Sequence, residues 1–175
     1  MKVKLIAVTS ANGKLTRGDD PDIYKWTSKE DSDFFFGEVR KAKLIVMGSA
    51  TYEVADKLIN PEPDKLRIVL TSSPEKFEDK HLTGQLEFSS ESPKQLVSRL
   101  ENEYDEMLLA GGAHVYSSFM KESLVDEIYL TIEPIMFGRG KNLFEGEEFE
   151  ANLKLISTEK LNDRGTLLLK YEVLK

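Results

Sequence analysis

MLLAGGAHVYSSFMKESLVDEIYLTIEPIMFGRGKNLF, residues Met107 to Phe144, is the stretch on which the reading of the fold turns. An apolar run, Met107-Leu108-Leu109-Ala110, leads into Gly111-Gly112. An amphipathic segment, Ala113 to Lys121, follows, and a second strand-like run starts at Ile128. Strand, glycine turn, short helix and strand make a βαβ unit, whose two strands lie parallel in one sheet. At the head of such a helix the unpaired backbone N–H groups and the dipole favour an anion. Glycine adds close approach of backbone to ligand, since no Cβ intervenes. The same pair serves equally well as a tight turn with nothing bound.

Upstream, Val3 to Thr9 reads as a buried strand closed by the turn signal Ser10-Ala11-Asn12-Gly13. A polar loop, Lys14 to Lys25, leads to Thr27 and Ser28, both good N-caps for a helix from Lys29 to Lys41. Lys43 to Met47 reads as a central strand ending at Gly48, and Ser49 to Asp56 as the start of a helix. After the proline-containing loop Asn60 to Asp64, Leu66 to Thr71 is a strand, and Ser92 caps a helix from Pro93 to Glu103. This alternation implies a largely parallel sheet covered on both faces. Beyond Ile128 the pattern changes. Ile128 to Ile135, Leu153 to Lys160 and Thr166 to Leu174 are strands with no helix between them, and Asn162-Asp163-Arg164-Gly165 is a hairpin turn joining the last two. The expected fold class is α/β. Residues 1–175 form one domain with a mainly parallel twisted sheet, helices on both faces and an antiparallel C-terminal hairpin.

The 175 residues are 40% hydrophobic and 31% charged, ordinary for a globular protein with a real core. A net charge of −7 with Lys and Glu interspersed argues against nucleic acid as a partner, because no basic stripe appears. The chain has no cysteine, which excludes disulfides, thiolate metal sites and cysteine nucleophiles and suits the cytoplasm. No apolar run approaches membrane-spanning length.

Val46-Met47-Gly48-Ser49-Ala50-Thr51-Tyr52-Glu53 repeats the strand, glycine, helix arrangement of Gly111-Gly112. Leu70-Thr71-Ser72-Ser73 ends a third strand with hydroxyls able to hold a phosphate or a ribose. In an open parallel sheet, ligands settle beyond the carboxyl ends of the strands. Neither a G-x-G-x-x-G nor a P-loop pattern is present, so nucleotide site and structural turns both stay open on the residues alone. Asp31 is the chemical candidate. It sits in the first turn of a helix, with Phe35, Val39 and Ala42 at helical spacing on its face. A carboxylate heading an apolar stripe is desolvated, which raises its pKa and makes it an acid or an anchor for a cationic ring. Against this, Ser28-x-x-Asp31 and Thr27-x-x-Glu30 both have the capping-box form. His81 and His114 lack partners at metal-ligand or nucleophile spacing and are expected to face solvent; Gly138-Arg139-Gly140 reads as a flexible turn.

Taken together, six segments in order resemble the dihydrofolate reductase superfamily, which also contains the reductase domain of riboflavin biosynthesis. They are Leu5-Ile6-Ala7 with Ser10-Ala11-Asn12-Gly13-Lys14; Trp26 with Asp31; Val46-Met47-Gly48-x-x-Thr51-Tyr52-Glu53; Leu70-Thr71-Ser72; Ala110-Gly111-Gly112-x-x-Val115-Tyr116; and Val125-Asp126-Glu127-Ile128-Tyr129-Leu130-Thr131. The resemblance spans nearly the whole chain. It implies an NADPH site lined by Ala7, Gly48, Ser49, Thr51, Thr71, Ser72, Gly111, Gly112, Val115 and Tyr116, with a cis peptide at the glycine pair. It makes Asp31 the catalytic carboxylate and Thr131 the threonine supporting it, with Phe35 and Lys65 joining them in holding the substrate. The implied reaction is hydride transfer to a pterin such as dihydrofolate, and the loop from Asn12 to Lys25 matches a lid over the nicotinamide.

The departures are specific. Lys65 stands where folate-specific members place an arginine to clamp the substrate's glutamate carboxylate, and Ser49 where many place an arginine for the 2′-phosphate of NADPH. Ser10 to Lys14 and Ile132-Glu133-Pro134-Ile135-Met136-Phe137-Gly138-x-Gly140 are closer to the riboflavin branch, which reduces a phosphoribosylamino-pyrimidine, yet Ile6 stands where some of its members carry a lysine. A non-catalytic nucleotide-binding protein is the alternative of another class. The partners implied are a small-molecule substrate, pterin or pyrimidine, with no nucleic acid and no membrane; the chain itself is a monomer or a homodimer paired through its C-terminal edge.

Overall fold

The computed structural model describes residues 1–175. In chain order the strands and α-helices are β1 (Lys2–Ser10), α1 (Lys29–Lys41), β2 (Leu44–Gly48), α2 (Ser49–Ala55), β3 (Leu66–Leu70), β4 (Leu86–Ser89), α3 (Pro93–Leu100), β5 (Glu106–Leu109), α4 (Ala113–Lys121), β6 (Glu127–Glu133), β7 (Asn152–Lys160) and β8 (Leu167–Leu174). The strands form one eight-stranded sheet in the order β4-β3-β2-β5-β1-β6-β8-β7. β1 to β6 run parallel; β8 returns antiparallel beside β6, and β7 pairs antiparallel with β8. The mainly parallel sheet with an antiparallel C-terminal hairpin is the fold the sequence implied.

Alternation along the strands divides the core between two faces. Val3, Leu5 and Ala7 of β1, Leu44 and Val46 of β2, Ile68 of β3 and Leu109 of β5 pack with Leu96 and Leu100 of α3 and with Val115 and Phe119 of α4. Ile6, Ile45, Met47, Val69 and Leu108 point the other way, to Tyr52 of α2 and the apolar face of α1. Both sides of β1, β2, β3 and β5 are therefore covered, which is why these strands read as continuous apolar runs. Burying a residue such as the fully enclosed Phe119 stabilises the fold by about 2–3 kcal/mol.

This layering sets the place of the site. β1 and β5 are neighbours, yet the chain leaves β1 for α1 on one face and leaves β5 for α4 on the other. Connections diverging from adjacent parallel strands open a crevice at their carboxyl ends. Ser10, Gly48, Gly111-Gly112 and Glu133 all lie along that edge.

Two features depart from the sequence reading. β4 has only Leu86 to Ser89, too short for its alternation to register, and the charged segment before it, Pro74–Lys80, winds into 3-10 turns. The Gly138-Arg139-Gly140 turn is not free. Its backbone pairs with the loop after β1: Gly18 N–H donates to Arg139 O (2.9 Å) and Leu15 N–H to Lys141 O (2.8 Å). Asn12 adds a side-chain tie, its Nδ2 donating to Phe137 O (2.8 Å) while its Oδ1 accepts Phe137 N–H (3.2 Å). At the far edge β7 exposes every residue, including Leu155 and Ile156 at 52% and 53%, with a bulge between Leu155 and Ser157.

Candidate active site

Asp31 is 5% exposed at the head of α1. Its backbone N–H donates to Ser28 Oγ (3.2 Å), so Ser28 caps the helix as its sequence position suggests. The reciprocal half of a capping box is missing. In α3 that half is present: Ser92 N–H donates to Gln95 Oε1 (2.9 Å). In α1 the corresponding Ser28 N–H donates instead to Glu133 Oε1 (2.6 Å), leaving the Asp31 carboxyl off the helix terminus. Burial pushes the Asp31 carboxyl up from the ordinary 3.8 to about 6; the nearby Thr131 hydroxyl pulls down, and the charge of Glu133 pushes further up. Thr131 is 1% exposed and is brought to Asp31 by β6. Asp31 and Thr131, paired by resemblance, thus meet in the structure.

The glycine side is built from two adjacent strand ends. Gly48 N–H donates to Gly111 O (2.8 Å), joining the carboxyl ends of β2 and β5. The Gly111–Gly112 peptide is cis. A Cβ on Gly111 would lie 3.0 Å from Thr51 Oγ1 and 3.1 Å from Thr51 Cγ2, and φ there is +123°, so glycine is demanded twice over. A Cβ on Gly48 would crowd Val115 Cγ2 at 3.2 Å. Gly48, Thr51, Gly111, Gly112 and Val115 therefore form one cluster. The two helices that begin there, α2 and α4, have glycine N-caps and no side-chain cap, in contrast with the serine-capped α1 and α3. Their terminal amides are left for another acceptor. Tyr116, on the first turns of α4, donates its hydroxyl to Ile6 O (2.6 Å), locking α4 to β1 beside Ala7; burial pushes its phenol up.

The remaining expected residues are placed as follows. Ser49 opens α2 and is partly exposed. Thr71 Oγ1 accepts Ser73 N–H (3.2 Å), and Ser72 is exposed at the end of β3. Phe35 lies against the α1-side core and meets Phe36 edge-on at 5.4 Å. His81 and His114 are both exposed.

Lys65 reaches the end of α1. Its Nζ donates to Val39 O (3.1 Å) and Arg40 O (3.3 Å) and lies 3.4 Å from Glu62. These carbonyls belong to the last turn of α1, where helical partners run out. Two of the ammonium's three donors are committed to these carbonyls and its charge is paired with Glu62, so Lys65 caps α1 in this structure. Lys65→Met, which keeps the stem and deletes the donors, is expected to lower the unfolding free energy by about 1–3 kcal/mol in urea melts. Turnover on a substrate without a carboxylate tail should stay as in the parent; an unchanged melt with weakened binding of a carboxylate-tailed substrate would restore the clamp.

Two further features escaped the sequence reading. Glu133, 2% exposed, controls the head of α1. Strand period places it on the face of Thr131, two residues earlier, a signal that could have found it. Trp26 Nε1 and Thr27 Oγ1, just ahead of α1, are buried with no protein partner. Trp26 itself packs edge-on against Phe137 at 5.1 Å, tying the loop before α1 to the end of β6. No group of three or more His, Asp or Glu is arranged to hold a metal, and no helix is long and apolar enough to cross a membrane.

This sheet order, with its glycine-capped helices and buried acid, is the dihydrofolate reductase fold. The dihydrofolate reductase of Enterococcus faecalis, solved with NADP(H), superposes with a TM-score of 0.68 at 20% identity, covering 99% of this chain and 97% of that one. A pyrimidine reductase-like protein from Corynebacterium diphtheriae superposes at 0.77 with 18% identity, covering 99% and 92%. In sequence, the chain is 33% identical over 132 residues to the uncharacterized protein YwjB of Bacillus subtilis, 74% of this chain and 71% of that one. The family model described as RibD C-terminal domain matches residues 1–167. The chain belongs to the RibD C-terminal domain family, a family of reductases.

Proposed function

We propose that this protein is an NADPH-dependent reductase of a small nitrogen heterocycle, a pterin or an aminopyrimidine, with Asp31 as its acid. The observation carrying the reading is the Asp31 carboxyl: 5% exposed, released from helix capping and raised to about 6. A structural cap would be ionised and bonded to an amide. A carboxyl that binds its proton nearly at neutrality suits general acid work.

The glycine side fits a dinucleotide. The uncapped amides of α4, with Gly48 beside them, suit a pyrophosphate. Ser49, Thr51, Thr71 and Ser72 would hold ribose and phosphate oxygens, and Ala7, Val115 and Tyr116 would form the apolar wall. When bound, the reduced nicotinamide supplies the hydride. Asp31 holds the amino-amidine edge of the heterocycle in its ionised form and gives its proton toward the neighbouring ring nitrogen in its neutral form. The Thr131 hydroxyl fixes the carboxyl's direction. Turnover limited by the neutral form falls as pH rises through about 6.

Commitment of Lys65 to α1 favours a pterin without a glutamyl tail over dihydrofolate itself. A second reading, reduction of 5-amino-6-(5-phosphoribosylamino)uracil, is favoured by membership of the RibD C-terminal domain family. Consumption of NADPH and of NADH should be followed with dihydrofolate, with a dihydropterin lacking the tail, and with the phosphoribosylamino-pyrimidine. The expected result is faster loss of NADPH than NADH, with the tail-less pterin used at least as well as dihydrofolate. NADPH binding detected by Trp26 fluorescence, without its consumption by any of the three, would leave a nucleotide-binding protein and sink the reductase.

A further inference from the structure

Glu133 ends β6 as a buried carboxylate whose two oxygens are both engaged. Oε1 accepts Ser28 N–H (2.6 Å) and Oε2 accepts the Thr166 hydroxyl (2.7 Å). Thr166, 0% exposed, lies just before β8, and its Oγ1 also accepts Asn162 Nδ2 (2.9 Å) from the β7–β8 turn. The same Nδ2 reaches Glu30 Oε2 (3.1 Å) in the first turn of α1. A continuous strap thus runs from the C-terminal hairpin through Glu133 to the head of α1.

The strap decides which partner Asp31 has. In a helix opening Ser-x-x-Asp, the third carboxylate's local partner is the amide of the capping serine; α3 shows the complete box with Ser92 and Gln95. At α1 a carboxylate from a different strand has taken that amide. We propose that Glu133 is a positioning residue: by holding the Ser28 amide it denies Asp31 the capping bond and keeps the Asp31 carboxyl beside Thr131. The proposal rests on Asp31 being the reacting acid.

The surroundings of Asp31 agree. β6 presents Thr131 and Glu133, and the 3-10 turn Ile23–Lys25 presents Tyr24, whose phenol is raised by burial and then by the charges of Asp22 and Asp31. None of the charges acting on Asp31 is positive. Glu133 therefore acts twice, removing a donor that would favour the ionised form and adding a like charge that opposes it.

The test uses the free protein with its aspartate carboxyls labelled with carbon-13, the Asp31 signal being assigned by its loss in D31N. Titration is followed by NMR in wild type, E133Q and E133A. Glutamine keeps an acceptor for Ser28 N–H while removing the charge and reversing the bond to the Thr166 hydroxyl, so Asp31 stays off the Ser28 amide; proton binding by Asp31 should weaken about threefold to tenfold. Alanine also frees the Ser28 amide, and Asp31 should then turn back to it and titrate lower still. The order wild type, E133Q, E133A supports the proposal; an Asp31 midpoint that is the same in wild type and variants overturns it and leaves Glu133 a purely structural tie. If E133A does not fold, E133M, which fills the same space while freeing the Ser28 amide, is read in its place on the same criterion. The ordered midpoints in a protein that consumes no NADPH would support positioning by Glu133 while removing the reductase reading.

Discussion

Asp31→Asn is expected to lose most of its turnover near neutral pH and, over the same range, to be more stable than the parent. The sign follows from the direction of the shift. The Asp31 carboxyl rises from the ordinary 3.8 to about 6 on folding, so between these values the folded chain binds more protons than the unfolded one. The contribution of Asp31 to stability is then fully present below the unfolded value and is lost as pH rises through about 6. At pH 7 and above, ionising this buried group costs the native state about 3 kcal/mol. Asparagine carries no charge to desolvate, and its amide can still meet the Thr131 hydroxyl.

Urea denaturation should therefore show Asp31→Asn ahead by up to about 3 kcal/mol at pH 7–8, with the advantage shrinking to near zero at pH 4. Over the same range turnover should fall by about 100-fold or more, the usual consequence of removing a general acid. Affinity for reduced nicotinamide should hold, since the cluster of Gly48, Thr51 and Gly111 is built at the ends of β2 and β5 and on α2. Parallel stability curves at every pH with turnover intact would return Asp31 to the role of an ordinary first-turn residue. Stability given up at a site for the sake of its chemistry is a common trade.

What could be read in the sequence was what local chemistry encodes. α1 falls on Lys29–Lys41 as expected, because a serine cap, an acidic first turn and an apolar stripe all agree. The glycine turns were visible as turns, and their meaning as one cluster needed β2 and β5 to be neighbours, which the order of the sequence does not state. Asp31 was legible as a candidate and ambiguous in role, because Ser28-x-x-Asp31 is a capping box to anyone who cannot see Glu133. The contact of Lys65 with the end of α1 was not legible, because the carbonyls it meets belong to a helix that is distant in sequence. β4 was invisible because four residues, two of them polar, carry too little periodicity. Gly140 was misread for another reason: contact between backbones leaves no side-chain signature.

That contact carries the other large prediction. Gly140→Ala is expected to free the loop after β1 while leaving the sheet intact. A Cβ on Gly140 would lie 2.0 Å from Thr16 O, a backbone atom that moves only with its segment, and φ at Gly140 is +151°, outside the range alanine adopts readily. The bonds that hold the two segments together cluster around that point. Gly18 N–H donates to Arg139 O, Leu15 N–H to Lys141 O, and Lys141 N–H to Thr16 Oγ1 (2.9 Å). The Arg139–Asp19 ion pair is mostly exposed and adds at most about 1 kcal/mol, too little to keep the loop docked by itself. Amide exchange at Leu15 and Gly18 should accelerate by about tenfold or more, and trypsin should cut faster after Lys14 and Arg17, while amides of β1, β2 and β5 keep their protection. If the loop is the lid over the nicotinamide, turnover falls with it, because water then reaches the reacting groups. Gly138→Ala is the internal control, since a Cβ there meets nothing within 4 Å. Equal exchange at Leu15 and Gly18 in the two variants would mean that the Gly140 contact does not hold the loop, and a freed loop with turnover unchanged would mean that the loop is not a lid.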